Sequence, residues 1–549
     1  MSDYRRRTLL LLLGLTGLAF ALRVVQLDGQ SLWRDEVDAL RFATQPLPAL
    51  LAMFRRPAEN GPLFFLGLRP WLAVARHSEF ALRFPSAWAG TLAVPLLYVL
   101  VHRLTAGFKR AVGRGQASAT AGLVAALLMA TGPYLVWYGQ EAKMYALLSA
   151  LVPLALLLAL DVARRGGAWR WAALYVLTGL SCYVHLLSVL AIPVQALWLL
   201  ILPTGRHARA RRLQALVYLA ALVLPYLPLA SWEIGYWLTP PARTGQPVVS
   251  LSDILKVLGV AYSRGILPVQ QPLTLLPAIL ALLSLLLLWI GSLPRLLVSR
   301  SDAALPLLIG PAPAVSMSAA GGLAPMAAGP GAAHGAADLA AGSATGRNPP
   351  PGGRRVLALL VLWLLLPPVE IYLVSLLVPV FLDRYLIWVM PAFVTLLACG
   401  VVALYGAWRP LGLATFGAVL ACNLLGVWMQ DSQPIKSDFR AAAAYVMAHE
   451  SPGDLLIFQI PYNRYTFSYY AGEGQPWIDG PYTNRGQDQA FVDGWMARGT
   501  MGAHRAWLIA SEVPLWDARG LTVQWLAAHA AAEDRADFAR VSVTRYVLR

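Results

Sequence analysis

Charged residues are scarce in this 549-residue chain, at 13%, against roughly 25% in soluble globular domains. With 58% of residues hydrophobic and a mean hydropathy of +0.57, a water-soluble body of this length is excluded. Cysteine is scarcer still. Cys182, Cys399 and Cys422 each sit inside an apolar run without metal-ligand spacing, which leaves no disulfide framework and no cysteine metal site. Acidic residues number 28 against 44 Lys and Arg, a formal net charge of +16. The surplus does not make one basic face. It falls in short clusters between apolar runs, around residues 5–7, 109–114, 164–170, 206–212 and 354–355. That is the positive-inside distribution, and it argues against a nucleic-acid partner. Neither a Walker loop nor a dinucleotide glycine motif occurs, so no nucleotide site is expected.

What the chain does have is long apolar runs, several of them near the 18–20 residues that cross a hydrocarbon core of about 30 Å. The first, 9–25, follows Arg5, Arg6 and Arg7, which places the N-terminus in the cytoplasm. It has the look of a secretory signal, but the many apolar runs behind it favour an uncleaved span. A long outer loop, 26–83, follows, with one short apolar helix at Pro62–Ala75 lying at the interface. Further spans are expected at 84–104, 119–136 and 144–162. The stretch 171–202 would be about 48 Å long as one helix, too long for one crossing and short for two. It reads as a tight hairpin with His185 near its tip. Spans at 213–231, 272–290, 356–378, 385–405 and 411–429 complete a polytopic α-helical membrane protein of about eleven transmembrane helices in residues 1–430. The Ala-, Gly- and Pro-rich stretch 300–353 reads as a disordered cytoplasmic linker.

From residue 436 to 549 the composition becomes that of a soluble domain. Helical periodicity over Phe439–His449 and short strands at 454–459, Arg505–Ala510 and Val541–Leu548 predict a small α/β domain on the outer face. It carries no evident catalytic set, and reads as an accessory domain. The whole is expected in the cell (inner) membrane.

The position of the carboxylates is the informative feature. Of the fifteen Asp and Glu up to Met429, ten fall in expected outer loops. The densest cluster is Trp33-Arg34-Asp35-Glu36-Val37-Asp38, where an interfacial aromatic adjoins adjacent acids. A carboxylate there can take the proton of an acceptor hydroxyl as general base; the bland reading is a solvated loop with an Arg34–Asp38 pair and Trp33 as a membrane anchor. A second set, Gln140-Glu141-Ala142-Lys143-Met144-Tyr145, offers Glu141 for a sugar hydroxyl or a divalent metal and Lys143 for a phosphate. Ordinary helix capping explains it equally well. In Leu382-Asp383-Arg384-Tyr385, Arg384 matches the geometry of phosphate oxygens; otherwise it pairs with Asp383. His185 alone is the weaker signal, since a histidine there is more often a satisfied polar group at a helix turn.

Taken together these segments resemble the glycosyltransferase C superfamily, family 39 type, which includes protein O-mannosyltransferases and the lipid A aminoarabinose transferase. The resemblance rests on Trp33 to Glu36, Asn60-Gly61-Pro62-Leu63-Phe64-Phe65, Arg83-Phe84-Pro85-Ser86, Gln140 to Tyr145, Tyr183-x-His185, and Arg384-Tyr385 followed by Pro391, in that order. It implies an inverting transfer of a sugar from a polyprenyl-phosphate donor to a lipid, glycan or protein acceptor at the outer membrane face. Carried over, Asp35 is the general base or the carboxylate that positions the acceptor, Glu36 supports it and Glu141 is the second acid. Arg384, Lys143 and Tyr385 hold the donor phosphate, while Trp33, Asn60, Tyr145 and His185 contact substrate. Two positions depart from the pattern. Asn60 replaces the usual His, which weakens a metal site in the first loop, and Lys143 replaces Arg, a point charge in place of a fork. The resemblance names no certain cofactor.

A lipid or sugar transporter or flippase is the reading from another class. Transporters show internal repeats and midplane ionisable groups; here Glu370 is the one carboxylate expected within an apolar span, and no repeat is visible. A lipid-carrier polymerase or ligase would use the same donor chemistry.

Overall fold

The computed structural model describes residues 3–55, 61–106, 116–205, 207–228, 248–266 and 353–549. Expected features at Asn60, at the 272–290 span and in the 300–353 linker (apart from its last residue) lie outside the described residues. Helix α1 (Asp3–Val24) has 22 residues, about 33 Å at helical rise, the thickness of a hydrocarbon core. Six described helices are long and apolar enough to cross a membrane, and a seventh results if one bent pair is counted as a span.

The outer loop expected over 26–83 is mostly helical. It contains α2 (Arg34–Thr44), α3 (Leu47–Ala52) and α4 (Pro62–Ala75). α2 starts with Asp35 and Glu36 in its first turn, where the helix dipole favours negative charge. It buries Glu36, Val37, Ala39 and Ala43. α4 starts from Gly61 at φ +89°, with Pro62 in the first turn. Ser78 caps α5 (Glu79–Thr105) by accepting the Ala81 N–H. Pro85 has no N–H for the carbonyl four residues back, and Trp71 Nε1 donates to that Ala81 carbonyl instead, at 2.8 Å.

The expected straight span over 119–136 is broken. α6 (Gln116–Thr131) meets α7 (Pro133–Gly139) at a 57° bend. The cause is again a proline: Pro133 leaves the Met129 carbonyl without its helical donor. Arg23 of α1, fully buried, fills the gap by donating to the carbonyls of Met129 (3.3 Å) and Ala130 (3.1 Å). Gly90 and Gly139 border its side chain, and a Cβ at either would lie 2.8 or 3.0 Å from Arg23. The bend carries the following turn, with Glu141 and Lys143, to the start of α8 (Tyr145–Arg165).

Over residues 171–202 the helix is interrupted at His185. α9 (Ala168–Val184) and α10 (Ala191–Ile201) flank an extended His185 and a short 3₁₀ turn. Thr178 donates to Gln195 at 3.0 Å across the pair. Helices α11 (Ala208–Ala221), α12 (Leu251–Arg264), α13 (Gly353–Leu377), α14 (Met390–Ala407) and α15 (Arg409–Ser432) follow. The 3₁₀ segment Asp383–Val389 leads into α14, whose residues from Met390 through Val402 are all buried.

The C-terminal residues build a five-stranded sheet of order β2-β1-β3-β5-β4: β1 (Leu455–Phe458), β2 (Trp477–Asp479), β3 (Arg505–Ala510), β4 (Ala530–Phe538) and β5 (Val541–Leu548). β1 is parallel to β2 and β3, whereas β5 is antiparallel to β3 and β4. Side-chain alternation sends Leu456 and Phe458 to a core with α16 (Phe439–His449) and α17 (Asn463–Ala471). Leu455 and Ile457 face the other core, with α18 (Gln489–Gly499) and α19 (Leu521–His529).

This sheet domain is docked on the helical body. Ser31 donates to the Ser437 carbonyl at 2.6 Å, and the Leu32 N–H donates to the Tyr470 hydroxyl at 2.6 Å. Arg34 and Arg41 of α2 lie 3.6 and 3.3 Å over the Tyr462 and Tyr465 rings, a cation–π geometry. Glu79 is bonded by both Arg440 and Tyr470.

Candidate active site

The site forms where α2, the Glu141–Lys143 turn, the His185 break and the Asp383–Val389 segment meet. Each is a place where a helix starts or is interrupted, so backbone and side chains there point into common space. Asp35 is bonded by Arg384 at 3.2 Å, both side chains about one-fifth exposed. Arg384 therefore pairs with Asp35, and the alternative pairing with Asp383 is replaced. Its guanidinium also lies 5.4 Å over the Trp33 ring and 5.8 Å over the Tyr145 ring. Trp33 is thus a wall of the site and not a free anchor. Asp38 is paired twice, with Arg41 at 3.0 Å and Arg34 at 3.6 Å.

Tyr385 packs against His185, ring centroids 4.9 Å apart, and both contact Tyr145. His185 Nδ1 accepts the Leu187 N–H at 3.2 Å, so its proton belongs on Nε2, which is buried and without a protein partner. Lys143 is anchored by its backbone, since Ser86 donates to its carbonyl at 2.9 Å, and its ammonium lies 5.7 Å from the Phe65 ring. Burial lowers the Lys143 ammonium pKa, with Asp35 and Asp38 working against the fall.

Glu36 differs from the supporting base expected beside Asp35. It is fully buried, and its carboxylate takes a bidentate bond from Arg83 (2.7 Å to each oxygen), one from the Ala142 N–H (3.0 Å) and one from Lys436 (3.0 Å). Burial alone would raise its pKa. Arg83 and Lys436 reverse that and hold it at about 2. A carboxylate so saturated is a strut fixing α2 to α5 and to the Glu141 turn, and has no free lone pair for proton transfer. Glu141 is the opposite case. Trp137 Nε1 donates to one oxygen at 3.0 Å, and the other is buried with no partner. Burial pushes its pKa up to about 7, with Lys436 and Arg384 pulling down and Glu36 and Asp35 pushing up.

Trp33 Nε1, Glu141 Oε2, His185 Nε2 and Arg384 Nε are all buried and unmatched. Each such atom costs about 1–3 kcal/mol when left without a partner. Donors and acceptors left open around an ion pair are suited to a polar ligand. On the other side of Ser86 lies an apolar cavity of about 670 Å³ between α4, α5 and α8, lined by Leu63, Phe64, Trp71, Phe84, Leu92 and Leu151 among others. Among the described residues, no three His, Cys, Asp or Glu side chains gather as a metal would require.

Residues 60–207 match the family described as the protein O-mannosyl-transferase TMEM260 N-terminal domain. Among solved structures, ArnT from Cupriavidus metallidurans in the apo state aligns with a TM-score of 0.53 at 13% identity, over 99% of this chain and 98% of its own. The chain shares the ArnT fold. ArnT from the same organism bound to undecaprenyl phosphate gives 0.52 at 13% identity, over 97% of each chain. The Archaeoglobus fulgidus oligosaccharyltransferase, in complex with Zn and sulfate, gives 0.50 at 11% identity, over 91% of this chain and 67% of that one. No curated protein sequence gives a significant match. The ArnT-like architecture agrees with the fold that the motif resemblance implies.

Within that fold, two contributors to the site have a role that the sequence does not reveal. Arg83 sits in a segment singled out by resemblance, yet nothing local names Glu36 as its partner. Lys436 belongs to the connection between α15 and the sheet domain, where an isolated lysine is unremarkable.

Proposed function

We propose that this protein is an inverting glycosyltransferase that moves a sugar from a polyprenyl-phosphate donor to an acceptor hydroxyl or phosphate at the outer membrane face. The Asp35–Arg384 pair, set among unmatched buried polar atoms, carries the reading. Arg384 and Lys143 bind the donor phosphate, and Tyr385 borders it. As the phosphate takes Arg384, Asp35 loses its cation and becomes free to accept the acceptor's proton. For a hydroxyl acceptor, the oxygen bonds to the anomeric carbon on the face opposite the phosphate. The anomeric C–O bond breaks, and its electron pair leaves on the polyprenyl phosphate, where the two cations stabilise the growing charge. Glu141, with one open oxygen, positions a sugar hydroxyl.

The cavity beside Ser86 supports a lipid-linked donor, since its wall is almost wholly apolar and it adjoins the Lys143 turn. The ArnT neighbour bound to undecaprenyl phosphate supports the same donor class. With this reading go the eleven-span arrangement, the 1–430 and 436–549 division and an outer location for the sheet domain. The test is incubation of the purified protein with a panel of polyprenyl-phosphate sugars, followed by mass analysis of acceptors. Turnover that survives Asp35→Asn removes the assigned base. Absence of turnover with every donor, together with movement of lipid or sugar across vesicles, replaces the transferase by a transporter.

A further inference from the structure

Lys436 is in an unusual position. It lies four residues beyond α15, in the connection to the sheet domain, yet its side chain is only 7% exposed and its ammonium is 3.0 Å from Glu36. The segment is fixed there by its backbone. Gln30 Oε1 accepts the N–H of Ile435 (3.1 Å) and of Lys436 (2.9 Å), and the Ser437 carbonyl accepts Ser31. These contacts staple it to the residues just ahead of Asp35.

Burying an ammonium costs several kcal/mol, and Glu36 does not need it. Arg83 already neutralises that carboxylate through two bonds. The second cation is surplus to the charge of a Glu36–Arg83 pair, and other acids share it. Asp431 lines a small cavity with Lys436, and Glu141 acts on Lys436 more strongly. Lys436 lies 5.4 Å over the Trp137 ring, and Trp137 holds Glu141 by its indole N–H. With Glu141 ionised, Glu36, Arg83, Lys436 and Glu141 sum to zero charge; with Glu141 protonated they carry +1.

We propose that Lys436 is a positioning residue of the transfer centre, a cation supplied from the sheet-domain connection that lets Glu141 exist as a carboxylate in its buried place. This rests on the transferase reading for the use made of Glu141, but not for the charge relation itself. The groups facing Glu141 are Lys436, Glu36, Arg384 and Asp35, with Tyr138, Tyr145 and Lys143 nearby. Of these, Lys436 is the cation whose direct carboxylate partner is already neutralised by another residue. The sheet domain then belongs to the site through its connection, and is more than an outer attachment.

The test uses the full-length protein in nanodiscs, with Lys436→Met and Lys436→Arg beside the wild type. Glu141 is followed by the infrared band of its protonated carboxyl, assigned by its loss in Glu141→Gln, across pH 5 to 9. In Lys436→Met the midpoint moves up by about one pH unit, which lowers the ionised fraction at pH 7 by roughly fivefold. Lys436→Arg restores it, helped by a small cavity of about 20 Å³ beside the side chain. The turnover profile of an undecaprenyl-phosphate sugar accepted by the wild type follows the same shift. If Lys436→Met does not fold, Lys436→Gln, which keeps a donor toward Glu36, makes the comparison. An unmoved midpoint in a folded neutral variant overturns the proposal. So does loss of folding in both neutral variants while Lys436→Arg folds, since that makes Lys436 part of the scaffold. A wild type inactive with every donor defeats the transferase reading alone, because the carboxyl band still reports on Lys436.

Discussion

Arg384 and Asp35 stand 3.2 Å apart across 349 residues of sequence, and the pair puts the assigned phosphate ligand directly on the assigned base. A phosphate competes for the guanidinium with more charge and more acceptor oxygens than a carboxylate. In the proposed mechanism, donor binding and base release are coupled. Asp35→Asn is expected to lower kcat by about 10²–10⁴, the usual scale for a lost general base. Binding of undecaprenyl phosphate is expected to hold or tighten, because Arg384 is no longer claimed. Titration calorimetry beside steady-state rates reads the two effects separately, and a parallel loss of binding and turnover would contradict the coupling.

Glu36 makes stability depend on acid. Its folded pKa of about 2 lies below its ordinary value of 4.5. Its contribution is therefore complete above pH 4.5 and disappears as pH falls towards 2. The difference corresponds to roughly 3 kcal/mol. Glu36→Gln leaves Arg83 without its carboxylate and takes the direct partner from Lys436, and the cost near neutral pH is expected at about 3–5 kcal/mol. Thermal midpoints in detergent, measured from pH 7 down to pH 3, should fall for the wild type and run flatter, from a lower start, for the variant.

Arg23 substitutes for the hydrogen bond that Pro133 cannot make. Arg23→Met leaves the carbonyls of Met129 and Ala130 without these donors, at about 1–3 kcal/mol each. In a Pro133→Ala background the new N–H can reach Met129 within the helix. The cost of Arg23→Met should shrink there. A double-mutant cycle on thermal unfolding measures the coupling; additive costs would mean that the two residues are independent.

Gly61 holds φ +89°, and a Cβ on it would overlap Met144 Cε and lie 3.2 Å from the Val184 carbonyl. Gly61→Ala meets both backbone strain and a clash beside Lys143. Turnover is expected to fall at least about tenfold, with a lowered thermal midpoint by calorimetry.

Gly67 lines the apolar cavity and has open space where a side chain would go. Gly67→Phe should fill that space, raising KM for a long-chain polyprenyl donor about tenfold with kcat little changed, the pattern of lost uniform binding. A short-chain donor analogue should be much less affected. Equal effects on both would place the lipid chain elsewhere.

The limits of local reading show at particular residues. The 3.6-residue period gave the bounds of Phe439–His449, and alternation gave Arg505–Ala510 and Val541–Leu548, since both depend on neighbours in the chain. α2 escaped notice as a helix because its first five residues carry four charges. Those charges are not solvated: Arg34 and Arg41 lie on tyrosines of the sheet domain, and Glu36 is buried among cations. The bend at Gly132–Pro133 was punctuated in the sequence, but the apolar run continues through it and hides the break.

By itself the sequence determined that this chain belongs in a membrane and where several of its long helices lie. Hydropathy, capping residues and prolines act within a turn or two, so their effects can be read in order. Tertiary structure alone decided that Arg384 meets Asp35, that Arg83 and Lys436 share Glu36, and that Arg23 closes a bend more than a hundred residues away. Charge attracts without regard to identity, and among 44 cations and 28 anions only the packing of the helices and the docked sheet selects which ones meet.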